Sequence, residues 1–221
     1  GYPHLNVKVA ATHAGLSVGE DGASHQCCED IALMRTIPGM VILSPADDVE
    51  ARAAVIAAYN YEGPVYLRFS RLPSPVFHNP DNYEFHIGKG EKLTDGFDAA
   101  IIATGLMTAE ALRAAVLAKR QGISVRVINM PTIKPLDEEI VLTAARECHN
   151  IITVEEHNVI GGLGEAVCSL LSEKMPTPVR RIGVQDKFGH SGPAAEVLRD
   201  YGLTAENIAA AVREMVYPGT V

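Results

Sequence analysis

Apolar and polar positions along this chain fall into alternating blocks. Short runs rich in β-branched residues are followed by longer stretches with apolar side chains at helical spacing. The runs at 7–11, 40–43 and 65–69 predict buried strands, and residues 29–36 and 49–59 predict the helices between them. Pro45 marks the turn before the second helix, for which Asp47 or Asp48 is available as N-cap. The resulting βαβαβ order implies a parallel sheet with right-handed crossovers.

Between residues 72 and 96 the periodicity fails. Pro73, Pro75, Pro80, Asn79, Asp81 and Asn82 crowd a stretch whose one strand candidate is 85–93. A second alternating series follows, with strands predicted at 99–103, 125–129, 151–155 and 179–183. Its helices are predicted at 109–121, 138–148, 165–174, 194–201 and 205–216, with Gly122 as a C-terminal stop and Thr204 as an N-cap. The predicted fold class is therefore α/β, with two domains built on mainly parallel sheets. Residues 1–72 form the first domain, 73–96 a linker, and 97–221 a complete small α/β unit of four or five strands. Three strands and two helices leave the first domain incomplete. Its opening, Gly1-Tyr2-Pro3, is turn-like and carries no initiating methionine, so a missing N-terminal portion is expected.

Composition narrows the range of partners. A net charge of −8 without any lysine-rich or arginine-rich run argues against nucleic acid or an anionic membrane as the main ligand. No apolar stretch approaches the ~18 to 20 residues of a membrane span, and the first residues lack a signal-peptide pattern, so a soluble cytoplasmic protein is expected. Cys27, Cys28, Cys148 and Cys168 show neither Cys-x-x-Cys nor zinc-site spacing, and they read as reduced, packed thiols.

The chemistry concentrates in residues 11–26. His13 and His25 flank Glu20 and Asp21 on a loop that follows the first strand, with Gly15, Gly19 and Gly22 permitting sharp turns. Two imidazoles beside two carboxylates suit proton transfer and hydroxyl binding, and hence a polyhydroxylated anionic ligand. Arg71 follows the strand at 65–69, placing a guanidinium on the same rim to grip a phosphate, and Ser70 adds a hydroxyl. Alone, Asp21-Gly22 is an ordinary turn and a single loop histidine is a solvated one; the cluster carries the reading. Arg68 alternates with Leu67 and Phe69, so a buried ion pair or an interface suits it better than substrate contact.

In the second domain, residues 160–164 (Ile-Gly-Gly-Leu-Gly) join a strand to a helix, where backbone N–H groups can bind phosphate. Glu165 puts a negative charge there and the last glycine of a dinucleotide fingerprint is absent, so a structural turn is favoured. Adjacent strand residues Glu155, Glu156 and His157 point to opposite faces, which disfavours a metal site. Subunit contact is the preferred reading for them.

Thr12-His13, residues 19–26 (Gly-Glu-Asp-Gly-Ala-Ser-His-Gln), residues 35–40 (Arg-Thr-Ile-Pro-Gly-Met), Ser44-Pro45-Ala46-Asp47 and Ser70-Arg71 together resemble the pyrimidine-binding domain of transketolases. Residues 154–164 and Phe188-Gly189-His190-Ser191-Gly192 resemble the transketolase C-terminal domain. The likeness extends to the separate C-terminal subunit of split transketolases. It implies thiamine-diphosphate-dependent transfer of a two-carbon ketol unit between sugar phosphates, as in the pentose phosphate pathway. By motif, His13 contacts the phosphate or the reacting region, Asp21 a donor hydroxyl, and Arg71 the phosphate. His25 binds a hydroxyl or carbonyl oxygen and assists proton transfer.

The resemblance also implies what this chain lacks. No Gly-Asp-Gly motif for the diphosphate and magnesium occurs, and the family's activating glutamate and aromatic stack lie upstream of Gly1. Neither cofactor-binding nor metal-binding residues are therefore assigned, and the chain is not expected to act alone. The implied assembly pairs it with a diphosphate-binding subunit or domain, as a homodimer or heterotetramer carrying thiamine diphosphate and magnesium. Deoxyxylulose-phosphate synthase, a 2-oxo-acid dehydrogenase β subunit and a noncatalytic assembly or regulatory module are the alternatives.

Overall fold

The computed structural model describes residues 1–219. Strands β1 (Lys8–Ala14), β2 (Val41–Leu43) and β3 (Val65–Ser70) form at the first three apolar runs, joined by helices α1 (Asp30–Arg35) and α2 (Asp48–Asn60), but the first run is not buried as expected, because β1 is an edge strand that leaves Val7 and Val9 exposed. Of the two N-cap candidates Asp47 serves, its carboxylate accepting from Glu50 N at 2.9 Å. The second half continues with β4 (Glu91–Thr94), β5 (Ala99–Ala103), α3 (Met107–Arg120), β6 (Val125–Asn129), β7 (Thr132–Lys134) and α4 (Glu138–Cys148). It ends with β8 (Ile151–Asn158), α5 (Leu163–Lys174), β9 (Val179–Val184), α6 (Ala194–Asp200) and α7 (Ala205–Val216). Thr204 caps α7 and Gly122, at φ 78°, follows α3, both as the sequence predicts.

Two sheets result, with strand orders β1-β3-β2-β7 and β4-β6-β5-β8-β9. Every pairing is parallel except those of the short strands β7 and β4. In the first sheet Val41, Leu43, Val65 and Leu67 face α2 at Ala54 and Ala58, while Ile42 and Tyr66 face Ile31 of α1. This alternation is the two-residue period of a strand covered on both faces. The second sheet is more apolar: Ile101, Val127, Ile152 and Val154 pack on the side of α3 and α7, and Ala100, Ile102 and Ile128 on the side of α4 and α5. Each fully buried Ile or Val stabilises the fold by ~1.5–3 kcal/mol relative to an exposed one.

Two elements depart from the sequence pattern. β7 comes from the second half of the chain but completes the first sheet, pairing antiparallel with β2 so that Ile42 faces Lys134 and Leu43 faces Thr132. The strand expected at 85–93 forms only at its end, as β4, because the preceding residues wind over the first sheet and α2. Phe77 N and His78 N each donate to Asp47 Oδ2 at 3.0 Å, and Tyr83 OH donates to Glu50. Glu50 is itself buried and accepts from Ala46 N at 2.6 Å and Asn129 Nδ2 at 2.8 Å, so this segment, the first domain and the second sheet share one polar cluster.

His78 closes that cluster. Its Nε2 lies 2.9 Å from Glu91 and its Nδ1 3.0 Å from Asp47. Burial alone would lower its pKa, but the Glu91 and Asp47 carboxylates, with Glu50 nearby, push it up to about 9. A folded-state pKa above the ordinary value means that the stabilisation is complete below pH ~6.5 and is lost as the pH rises through about 9. Thermal unfolding followed between pH 6 and 10 should therefore show the midpoint falling across this window, with a loss of at most about 3 kcal/mol. In His78→Gln this slope should be gone.

Candidate active site

The register of β1 on β3 sets Ala14 opposite Ser70. His13 thus stands at the carboxyl end of β1 and Arg71 directly after β3, at the sheet edge where open α/β sheets bind ligands. The pairing is irregular between Ala11 and Ala14, and His13 adopts φ 67°. A non-glycine residue held there costs of order 1–3 kcal/mol, a strain that collects at functional sites.

Beyond Ala14 the chain enters a 3₁₀ helix, Leu16–Asp21, interrupted at Gly19 (φ 77°, ψ −115°), a conformation that needs glycine. It then returns to the strand end. His25 N donates to Gly22 O at 2.9 Å, Gly15 N donates to Cys27 O at 2.7 Å, and Ala14 bridges to Cys27. The backbone positions of His13, His25 and Arg71 are thereby gathered at one end of the sheet.

Arg71 Nη1 lies 3.6 Å from Asp21 Oδ2 and 3.9 Å from Glu20 Oε2, and it donates to Val18 O. The guanidinium is aimed by these contacts while its side chain keeps 39% exposure, so N–H groups remain open to a ligand. His13 and His25 are both exposed, and each ring is held at Nδ1 by the preceding hydroxyl: Thr12 Oγ1 at 2.8 Å and Ser24 Oγ at 3.0 Å. Nε2 is then the nitrogen each ring can offer a substrate. Ser70 Oγ donates to Leu72 O at 3.0 Å, so its proton is already committed.

Beneath the loop lies a buried polar junction between the two sheets. Arg68 is 5% exposed; its Nε donates to Asp30 Oδ2 at 2.7 Å and its Nη2 to Glu156 O at 3.0 Å, as the ion-pair reading anticipates. Tyr66 OH donates to the same Asp30 oxygen at 2.7 Å. Burial works against the charge on Asp30, but Arg68 and Tyr66 hold its carboxyl below the usual range. Cys28 is buried beside this junction, and burial pushes its thiol up to about 12, consistent with a packing role.

The reading of Glu155, Glu156 and His157 as subunit-contact residues is corrected here, because all three are buried within this chain. Glu156 accepts from Ser17 N at the foot of the loop, and Ala32 N donates to His157 Nε2 at 3.4 Å. Glu155 turns into the glycine turn, where its two oxygens accept from Leu163 N at 2.7 Å and Gly164 N at 2.8 Å. A methyl group on Gly162 would lie 2.0 Å from Glu155 Oε2, and Glu165 Oε2 takes Gly161 N at 2.6 Å. The phosphate-binding positions of this turn are filled by the chain's own carboxylates. The sequence shows the turn, but not that a strand residue eight positions earlier occupies it.

Family models of the transketolase pyrimidine binding domain and the transketolase C-terminal domain match residues 2–75 and 88–208. The chain belongs to the transketolase family. Among its transketolase-family relatives, the "Putative transketolase C-terminal section" of Methanocaldococcus jannaschii is 48% identical over 215 residues, which are 96% of this chain and 67% of that protein. The 6-deoxy-6-sulfo-D-fructose transketolase subunit of Clostridium sp. (strain MSTE9) is 42% identical over 97% of this chain and 66% of its own length. A solved split-gene transketolase, described as an inactive beta4 tetramer, superposes with a TM-score of 0.91 at 48% identity, covering 97% of this chain and 68% of that one. The chain thus spans about two thirds of the length of these relatives.

Transketolase-family domains are those of thiamine-diphosphate enzymes. The one glycine-rich helix start in the second domain is filled by Glu155, and among the described residues no group of three His, Cys, Asp or Glu side chains can hold a metal ion. No helix among them is long and apolar enough to cross a membrane.

Proposed function

We propose that this chain is the C-terminal part of a split transketolase, supplying substrate-binding and proton-transfer groups for the transfer of a two-carbon ketol unit between sugar phosphates. The observation that carries this reading is the setting of Arg71 against Asp21 and Glu20 at the sheet end shared with His13 and His25. Arg71 binds the substrate phosphate through its open N–H groups. Asp21 accepts a donor hydroxyl, and His13 contacts the phosphate or the reacting region. His25 exchanges a proton with a hydroxyl or carbonyl oxygen of the sugar. Ser70 can contribute only as an acceptor, its own proton being directed to Leu72 O.

Thiamine diphosphate and magnesium then belong to a diphosphate-binding partner subunit, together with an intact pyrimidine domain, in an oligomer of the two. The split-gene name of the similar solved structure and the C-terminal-section name of the M. jannaschii relative support that arrangement. In this reading the first unit is residues 1–72, the connecting segment 73–96, and the second unit 97–221. Four free cysteines and charged sugar-phosphate substrates suit a reducing cytoplasm.

Reconstitution tests the proposal. The chain alone should be inactive; combined with a matching diphosphate-binding subunit, an intact pyrimidine domain, thiamine diphosphate and magnesium, it should turn over a ketose phosphate donor with an aldose phosphate acceptor. A stable complete assembly that leaves ketose phosphates untouched would falsify the reading. Use of pyruvate in their place would indicate the deoxyxylulose-phosphate synthase alternative.

A further inference from the structure

Gln26 follows the exposed His25 and yet is only 7% exposed. Its Nε2 donates to His190 O at 2.9 Å in the second domain, to Leu16 O at 3.2 Å, and weakly to Gly19 O at 3.4 Å. One amide group therefore ties the 3₁₀ segment to the second domain. We propose that Gln26 is a positioning residue, through which residues 189–192 of the second domain set the shape of the loop that presents Asp21 and aims Arg71.

The surfaces on either side leave no slack. A methyl group on Gly22 would lie 2.3 Å from Ser191 Oγ, and one on Gly189 would lie 1.8 Å from Gln26 Oε1. On Gly19 it would meet Gly192 O at 3.2 Å and Ala194 N at 3.3 Å. The second-domain segment is braced from behind, since Tyr201 OH donates to Phe188 O and His190 Nε2 lies 3.2 Å from Asp200. On the other side, Arg71 donates to Val18 O, in the backbone between the two carbonyls that Gln26 holds. Displacing residues 16–19 therefore displaces both the support of Arg71 and the loop leading to Asp21. The second domain thereby shapes the substrate side of the site from outside it.

This inference rests on the reading of the loop as a sugar-phosphate site, and the test keeps the two separable. Gln26→Glu keeps the size of the side chain but turns an acceptor oxygen toward carbonyl oxygens; Gln26→Met removes the donors without that repulsion. In the assembled enzyme both variants should lower kcat/KM for a ketose phosphate by about 10- to 100-fold, since displacements near 1 Å cost up to ~10². Most of the loss should fall on KM, because Arg71 and Asp21 bind substrate. Combined with Arg71→Ala, neither variant should cost more than about threefold further, as expected for residues acting as a unit.

Amide hydrogen exchange on the same assemblies should quicken in residues 16–22 and 189–192 while β5, β6 and β8 keep wild-type rates. Unchanged exchange in those two segments overturns the proposal. So does a loss confined to kcat, or one that multiplies independently with Arg71→Ala. A wild-type assembly that does not turn over ketose phosphates sinks the functional reading instead, and exchange then still decides whether Gln26 couples the loop to the second domain.

Discussion

His25→Ala is expected to lower kcat of the assembled enzyme by a factor of about 10² to 10³, with the partner subunit still bound. His25 is exposed and its ring Nδ1 lies 3.0 Å from the exposed Ser24 hydroxyl, so the substitution opens no cavity and strands no buried group. The change in stability should stay within about 0.5 kcal/mol, and the loss can be read as chemistry. If the imidazole moves a proton at the sugar oxygen, kcat and kcat/KM should fall together, because the interaction develops in the transition state. Steady-state kinetics with a ketose phosphate donor give the answer. Unchanged turnover in an intact assembly would leave His25 a purely architectural role.

The second large effect is on folding. Asp30→Ala should destabilise the chain by about 3–5 kcal/mol, because Arg68 would keep a buried positive charge without its counter-ion. Tyr66 would lose the acceptor of its hydroxyl proton as well. For a chain of this length the thermal midpoint should drop by roughly 10 °C or more. Asp30→Asn, which keeps an acceptor for Tyr66, should lose less. The pair also carries a sign in pH: a carboxyl held below its ordinary range contributes stability that is complete above that range and is lost as the pH falls from there through its own lowered pKa. Acid unfolding of Asp30→Asn should be shallower for that reason. A midpoint within 2 °C of wild type for Asp30→Ala would mean that the junction tolerates the unpaired guanidinium.

Much of this architecture was legible because it depends on local rules. The strand runs at 65–69, 99–103 and 125–129 and the cap at Thr204 need only their own neighbourhoods to be recognised, and the structure has strands or caps at each. The placement of His13 and Arg71 at neighbouring strand ends was legible for the same reason, as strand ends in a parallel sheet lie side by side. What escaped depends on distant partners. β7 is three residues between two prolines, too short to show any period, and it is a strand only because β2 lies beside it. Glu155 reads as a subunit-contact residue until the glycine turn folds over it. Gln26 is visible only as one letter of a motif; its three carbonyl partners belong to two separate parts of the chain.

The borrowed strand β7 has an evolutionary consequence. A gene break or recombination point between residues 73 and 96 would look harmless on the sequence, yet it would take from the first sheet the strand that closes it beside Val41–Leu43. A first half joined to a foreign second half would need a replacement for Thr132–Lys134 that fits its own β2. The two halves are therefore expected to be inherited as one block.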